Sequence, residues 1–345
     1  MPSSPQRILV FAPSWVGDMV MAQTLFALLK LYYPTTLIDV LAPAWSKALL
    51  ERMPEINYAH VFPFAHKELK LRQRYQFGKK LRQYHYDQAI ILPNTLKAAF
   101  VIYVAAIPLR TGWRGEWPRS WLFLNDARKL DKRAMPQMVQ RFAALAAPAS
   151  VSLPLVLPKP HFLVSAQMQQ ATREKYALRT NSAPVLVLAP GAEFGPSKRW
   201  PAMYFAQVAE KKIQQGWQVW LLGSVNDVSI AEDIQQRVPN GIVNFIGRTS
   251  LAEAVDLLSL ATAVISNDSG LMHIAAALQR PLVAIYGSTS PRFTPPLTDC
   301  VRILSLELAC SPCFKRTCPL KHWQCMLELK PVKVLQALDE LLASN

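Results

Sequence analysis

"RILVFAPSWVGDMVMAQTLFALL", residues 7–29, is the stretch whose reading decides the fold. Residues 8–12 form an apolar run of strand length, Pro13 and Ser14 break it, and from Val16 onward apolar residues return with helical spacing. Strand, turn and helix in that order open a parallel α/β sheet, where ligands gather at the carboxyl ends of the strands. In many nucleotide sites such a turn is glycine-rich and its backbone amides hold phosphate at the helix start. Here one glycine, Gly17, is followed at once by a carboxylate, Asp18. An acid at that position repels phosphate, so this turn calls for a different chemistry.

The same rhythm continues outward. Strand-like runs at 7–12, 36–41, 58–62 and 87–92 are separated by stretches long enough for crossover helices. The proline-rich "PASVSLPLVLPKPH", 148–161, suits an extended connection. The pattern then restarts with runs at 184–191, 217–224, 242–247, 263–268 and 281–288. The expectation is an α/β chain of two Rossmann-like parallel-sheet domains, residues 1–155 and 156–330, facing each other across a cleft. Residues 331–345 are expected to form a C-terminal helix that packs back toward the first domain. A length of 345 residues and a hydrophobic content of 51% suit two buried cores.

No apolar run reaches the roughly 18 residues of a membrane span, because "AAFVIYVAAIPL", 98–109, stops short. The N-terminus lacks the pattern of a secretory signal, so a cytoplasmic address is the default expectation. The formal charge of +15 is unevenly shared. Residues 1–160 hold 21 Lys+Arg against 9 Asp+Glu, whereas 161–345 hold 17 against 14. Such a first half suits an anionic partner: nucleic acid, an acidic membrane surface or a phosphorylated substrate.

Turns at strand ends carry the remaining chemistry. "PGAEFGPSKRWP", 190–201, brings Gly191 and Gly195, a hydroxyl at Ser197 and cations at Lys198 and Arg199. That set makes either an anion site or a solvated basic loop; the P-loop pattern is absent. "SNDSGLMHIAAAL", 266–278, offers Asn267, Asp268 and Ser269 as helix caps, Gly270 for close approach, and His273 one turn further on. "YGSTSPRFTPPL", 286–297, is either a further wall of a nucleotide site or a rigid loop.

Together these segments resemble one family. "APSWVGDMVMAQ", "LPNTLKAAF", "RTGWRGE", "PGAEFGPSKRWP", "SNDSGLMHIAAAL" and "STSPRFTPPL", in this order between residues 7 and 298, are similar to the ADP-heptose:lipopolysaccharide heptosyltransferases, glycosyltransferase family 9. The resemblance implies a GT-B fold and inverting transfer of L-glycero-D-manno-heptose from ADP-heptose, with no cofactor required. It is strongest to the branch that extends the first heptose of the inner core on Kdo2-lipid A; the branches acting before or after that step are the near alternatives. It further implies that Asp18 is general base on the acceptor hydroxyl and that Lys198 neutralises the departing ADP. Gly191, Ser197, Lys198, Arg199, Asp268, Ser269, Gly270, Leu271 and His273 then fall to the donor. Ser14, Trp15, Gly17, Asn94, Lys97 and Arg114 fall to the acceptor. The expected partners are ADP-heptose, heptosyl-Kdo2-lipid A and the cytoplasmic face of a Gram-negative inner membrane, met by a single copy of the chain without nucleic acid.

The basic run "HKELKLRQRYQFGKKLRQYHY", 66–86, holds Lys67, Lys70, Arg72, Arg74, Lys79, Lys80 and Arg82. It reads either as a solvated helix face or as contact with acceptor phosphates and an anionic leaflet, with Arg72, Arg74 and Lys79 as the contacts. Trp113, Trp117 and Trp121 add sugar stacking or interfacial anchoring. "CSPCFKRTCPLKHWQC" departs from part of the family. Its Cys310, Cys313, Cys318 and Cys325, spaced C-x2-C-x4-C-x6-C, are either a structural zinc site or reduced thiols. A nucleic-acid-binding scaffold is the rival class; it leaves Asp18, Lys198 and Asp268 unexplained.

Overall fold

The computed structural model describes residues 5–64, 68–115, 122–148, 151, 153–154, 156–178 and 183–344. The chain divides into two compact units, Met1–Pro160 and His161–Asn345.

In the first unit, β1 (Arg7–Phe11), β2 (Leu37–Ala42), β3 (Tyr58–Val61), β4 (Gln88–Ile91), β5 (Leu109–Trp113) and β6 (Asp126–Arg128) form one parallel sheet in the order β3-β2-β1-β4-β5-β6. Ile8 pairs with Ile38 on one side and Gln88 on the other. The central strands are apolar on both faces, as helices on both sides of a parallel sheet require: Leu9, Phe11, Leu41, Ala89 and Ile91 pack with Val101 and Ile102 of the helix Leu96–Val104. Asp39, fully buried in β2, accepts hydrogen bonds from Arg7, Asn57 and Tyr86 and so ties β2 to β1 and to the chain entering β4. The proline-rich connection is held at its end, where Thr24 Oγ1 donates to the Pro158 carbonyl at 2.8 Å.

The second unit repeats the plan. Strands β7 (Val185–Ala189), β8 (Gln218–Leu221), β9 (Ile242–Asn244), β10 (Ala263–Asn267), β11 (Leu282–Ile285) and β12 (Val301–Leu304) run parallel in the order β12-β11-β10-β7-β8-β9. Read from the other edge this is the order of the first sheet. In each, the strand order reverses beside the first strand, between β1 and β4 and between β7 and β10, and such reversals open a crevice at the carboxyl ends. Leu186, Leu221, Ile265 and Val283 pack with Trp200, Phe205 and Leu338. The C-terminal helix Pro331–Ala343 thereby belongs to the second core; its Asp339 pairs with Lys212 at 2.6 Å.

Candidate active site

In the second unit the loop after β7 turns through Gly195 into the single turn Pro196–Lys198. This aims Lys198 at the segment after β10, where its Nζ lies 2.6 Å from Asp268 Oδ2, with side-chain exposures of 14% and 4%. Thr289, from the loop after β11, donates to the same oxygen. Asn267 acts as a cross-tie rather than a cap: its Nδ2 donates to the Pro190 carbonyl at 2.7 Å and its Oδ1 accepts from the Trp200 amide at 3.1 Å. Three strand-end loops are thus locked around one carboxylate and one ammonium.

Beside this pair begins the helix Gly270–Ala277. Ser269 has the extended backbone of an N-cap, yet no side chain caps the helix; its hydroxyl lies 3.2 Å from that of Ser266. First-turn N–H groups have no partner within a helix, and with the dipole they favour an anion. Ser269, Gly270 and Leu271 are half-buried there. His273, one turn below, is buried; burial drives its pKa down to about 4, with Lys198 reinforcing the shift against Asp268. Its ring is therefore neutral at pH 7.

Other residues expected in the donor set hold structure. The buried Ser197 hydroxyl lies 2.9 Å from that of Ser288 and donates to the Lys315 carbonyl. Arg199 reaches Asp227 at 3.6 Å. Gly191 makes room for that same carboxylate, which would stand 2.3 Å from a Cβ added there. Thr289 and Asp227 were missed by the sequence reading. The hydroxyl-rich turn 288–290 signalled the first, and the Ser224-to-Asp227 capping box signalled the second.

In the first unit, Ser14 and Trp15 are exposed, while Gly17 and Asp18 lie half-buried in the first turn of the helix Val16–Tyr32. A carboxylate there also suits the helix dipole. Across the strand-order reversal, Asn94 is exposed and Lys97 occupies the first turn of the helix Leu96–Val104. A cation at that end opposes the dipole, so helix stability does not account for it. Lys97 Nζ lies 3.5 Å from the Glu68 carbonyl. Arg114 is exposed just beyond β5, its amide donating to Arg128.

The basic run forms the helix Leu71–Leu81, and its cations divide. Arg72, Lys79 and Lys80 are exposed. Arg74, expected on the same outer face, is buried: it donates to the carbonyls of Leu69 and Glu68 and stacks over Phe62 and Phe64 at 5.1 and 4.7 Å. It anchors the helix to the unit, and the outer basic face narrows accordingly. Lys67, Trp117 and Trp121 lie outside the described residues; Trp113 donates to the Arg141 carbonyl at 3.0 Å.

Cys310, Cys313, Cys318 and Cys325 line one small cavity with His322, Ser197 and Ser288. All four are free thiols. Among the described residues no group of three or more His, Cys, Asp or Glu side chains stands in a metal-holding arrangement. The main-chain N–H groups of residues 320–323 hold the Cys318 thiol below its usual range against the effect of burial, whereas burial and the other three thiols push Cys325 up.

The sequence pattern of glycosyltransferase family 9 (heptosyltransferase) matches residues 74–324. The chain belongs to this family. This glycosyltransferase is 44% identical to lipooligosaccharide heptosyltransferase 2 of Haemophilus influenzae, over 98% of the chain and 99% of the relative. It is 42% identical to lipopolysaccharide heptosyltransferase 2 of Escherichia coli, over 97% and 98%. The solved structure of E. coli ADP-heptose lps heptosyltransferase II matches with a TM-score of 0.87 at 41% identity, covering 98% of this chain and 99% of that one. E. coli heptosyltransferase WaaC with ADP shares the fold at a TM-score of 0.72 and 18% identity. The two parallel six-stranded sheets are those of the GT-B class.

Proposed function

We propose that this glycosyltransferase transfers L-glycero-D-manno-heptose from ADP-heptose to the first heptose of the lipopolysaccharide inner core, with inversion at the anomeric carbon. The observation that carries the reading is the pairing of Lys198 with Asp268 beside the uncapped helix start at Ser269–Leu271. A cation and free helix amides suit the donor diphosphate, which leaves Asp18 of the other unit for the acceptor. The acceptor hydroxyl oxygen attacks the anomeric carbon as the bond to the ADP oxygen breaks. Asp18 takes the hydroxyl proton, and ADP leaves with the bonding electron pair. The transition state has oxocarbenium character, and the charge gathering on ADP is met by Lys198 and the helix amides. His273, neutral at pH 7, forms part of the floor and adds no positive charge.

The lipid-embedded acceptor is met on the cytoplasmic face of the inner membrane. Arg72, Lys79 and Lys80 share their helix with exposed Leu71 and Tyr75, a pairing of charge and apolar surface that suits an anionic interface. No helix among the described residues is long and apolar enough to cross a membrane. Mass spectrometry of products from purified enzyme, ADP-heptose and Kdo2-lipid A acceptors with zero, one or two heptoses tests the reading. Addition of one heptose to the one-heptose acceptor alone is expected; use of the zero-heptose acceptor, or no transfer, overturns it.

A further inference from the structure

The cysteine-rich segment is bound to the donor loops along its length. Ser311 Oγ donates to the Gly287 carbonyl, the Phe314 amide to Ser288 at 2.7 Å, and the Ser197 amide to the Arg316 carbonyl at 3.1 Å. Gly195, at φ 152°, lets the Arg316 main chain in: a Cβ there would fall 2.7 Å from the Arg316 oxygen. Two strand-end turns, after β7 and after β11, are therefore braced by residues 311–316.

This docking delivers a side chain as well as a scaffold. The Arg316 guanidinium lies 5.6 Å from the centre of the Phe194 ring, and the Lys198 ammonium lies 5.1 Å from the same centre. Lys198 is matched by Asp268 and Arg199 by Asp227. Arg316 is exposed, and among the described residues no carboxylate pairs with it. A second cation thus borders the proposed diphosphate site with its charge unmatched, held by a ring it shares with the first.

We propose that Arg316 is a donor-binding residue, a second cation for the diphosphate of the nucleotide sugar; this rests on the donor reading above. Lys198 is a point charge already engaged with Asp268, whereas a guanidinium offers a planar fork suited to two oxygens of one phosphate. The cysteine-rich segment then has a role independent of any metal: it carries this fork to the site and fixes the loops that receive the nucleotide.

Titration calorimetry with ADP and with AMP tests the assignment on the full chain. In Arg316→Ala the ADP dissociation constant is expected to rise about tenfold, the order of one charge-assisted hydrogen bond, with AMP affinity changed less than twofold and the melting temperature unchanged. Arg316→Lys, which keeps the charge but not the fork, should recover only part of the ADP affinity, and Arg316→Met, which can still cover the ring, should lose as much as alanine. Equal loss of ADP and AMP, or ADP affinity retained by the methionine variant, would reduce Arg316 to a packing role and overturn the proposal. Failure of the unsubstituted protein to bind ADP would overturn the donor reading itself, and this assignment with it.

Discussion

Replacing Lys198 by alanine strands the Asp268 carboxylate. That group is 4% exposed and, among the described residues, keeps the Thr289 hydroxyl as its side-chain partner once the ammonium at 2.6 Å is gone. Removing one member of a buried ion pair costs about 3–5 kcal/mol. The Lys198 side chain is 14% exposed, so water can reach part of the gap, and the low end, about 3 kcal/mol, applies. For a unit the size of His161–Asn345, at about 2–4 °C per kcal/mol, the melting point should fall by roughly 6–12 °C. The decisive arm is the double variant. Adding Asp268→Asn to Lys198→Ala removes the stranded charge, and most of the loss should return, giving a coupling of about 2 kcal/mol in the double-mutant cycle. Thermal melts and urea titrations without nucleotide supply the four corners. Additive costs, or a loss below about 1 kcal/mol in Lys198→Ala, would show that the pair is solvated and would refute the reasoning. Both lysine-lacking variants should also bind ADP-heptose weakly and turn over slowly, because a cation on the diphosphate acts on ground state and transition state together.

Asp18→Asn should lower kcat by about 10²- to 10⁴-fold, the usual scale of general-base loss, while ADP affinity by calorimetry stays within a few-fold; a variant retaining a tenth of kcat would remove Asp18 from that role. Exchanging exposed Arg72, Lys79 and Lys80 for Gln should raise KM for acceptor in anionic liposomes several-fold, flatten its salt dependence and leave donor KM and melting point alone. Adding Arg74→Gln should instead lower the melting point, since that guanidinium holds the helix; unchanged kinetics at low salt in the triple variant would make the run an ordinary solvated face. His273 has a folded pKa of about 4, below its unfolded value, so its contribution to stability is present above about pH 6.5 and lost as pH falls from there through 4. Urea midpoints between pH 7 and 4 should show that slope, and His273→Gln should flatten it; an identical pH profile in the variant would contradict the burial argument.

The central strands were legible because a strand covered on both faces is apolar along most of its length, as residues 8–12, 185–189 and 263–265 are. Three others were not, although the edge strands β3 and β9 were. β6 is only Asp126, Ala127 and Arg128, partly exposed at a sheet edge with no apolar run to betray it. β5 interrupts its apolar residues with Arg110, Thr111 and Gly112, and β12 is a partly exposed edge strand. In the site, turn residues could be located because glycine, proline and hydroxyl side chains punctuate the sequence. Their partners could not. Nothing local in "FGPSKRW" shows that Lys198 meets a carboxylate seventy residues on, or that Gly191 yields its volume to Asp227. Arg74 misled for the converse reason: a charge run on a helix looks uniformly solvated until Phe62 and Phe64 fold over one member of it.

The graded acidity of the thiols has a consequence for covalent chemistry. Nucleophilicity at neutral pH follows the thiolate fraction, so a mild electrophile should label Cys318 before Cys325, although both line the same cavity. An adduct there would stand against Ser197 and Ser288, at the foot of the two loops that the cysteine-rich segment braces. A fluorophore so attached would report on movements of those loops, and a change in its emission on adding ADP would be a direct readout of the proposed donor site.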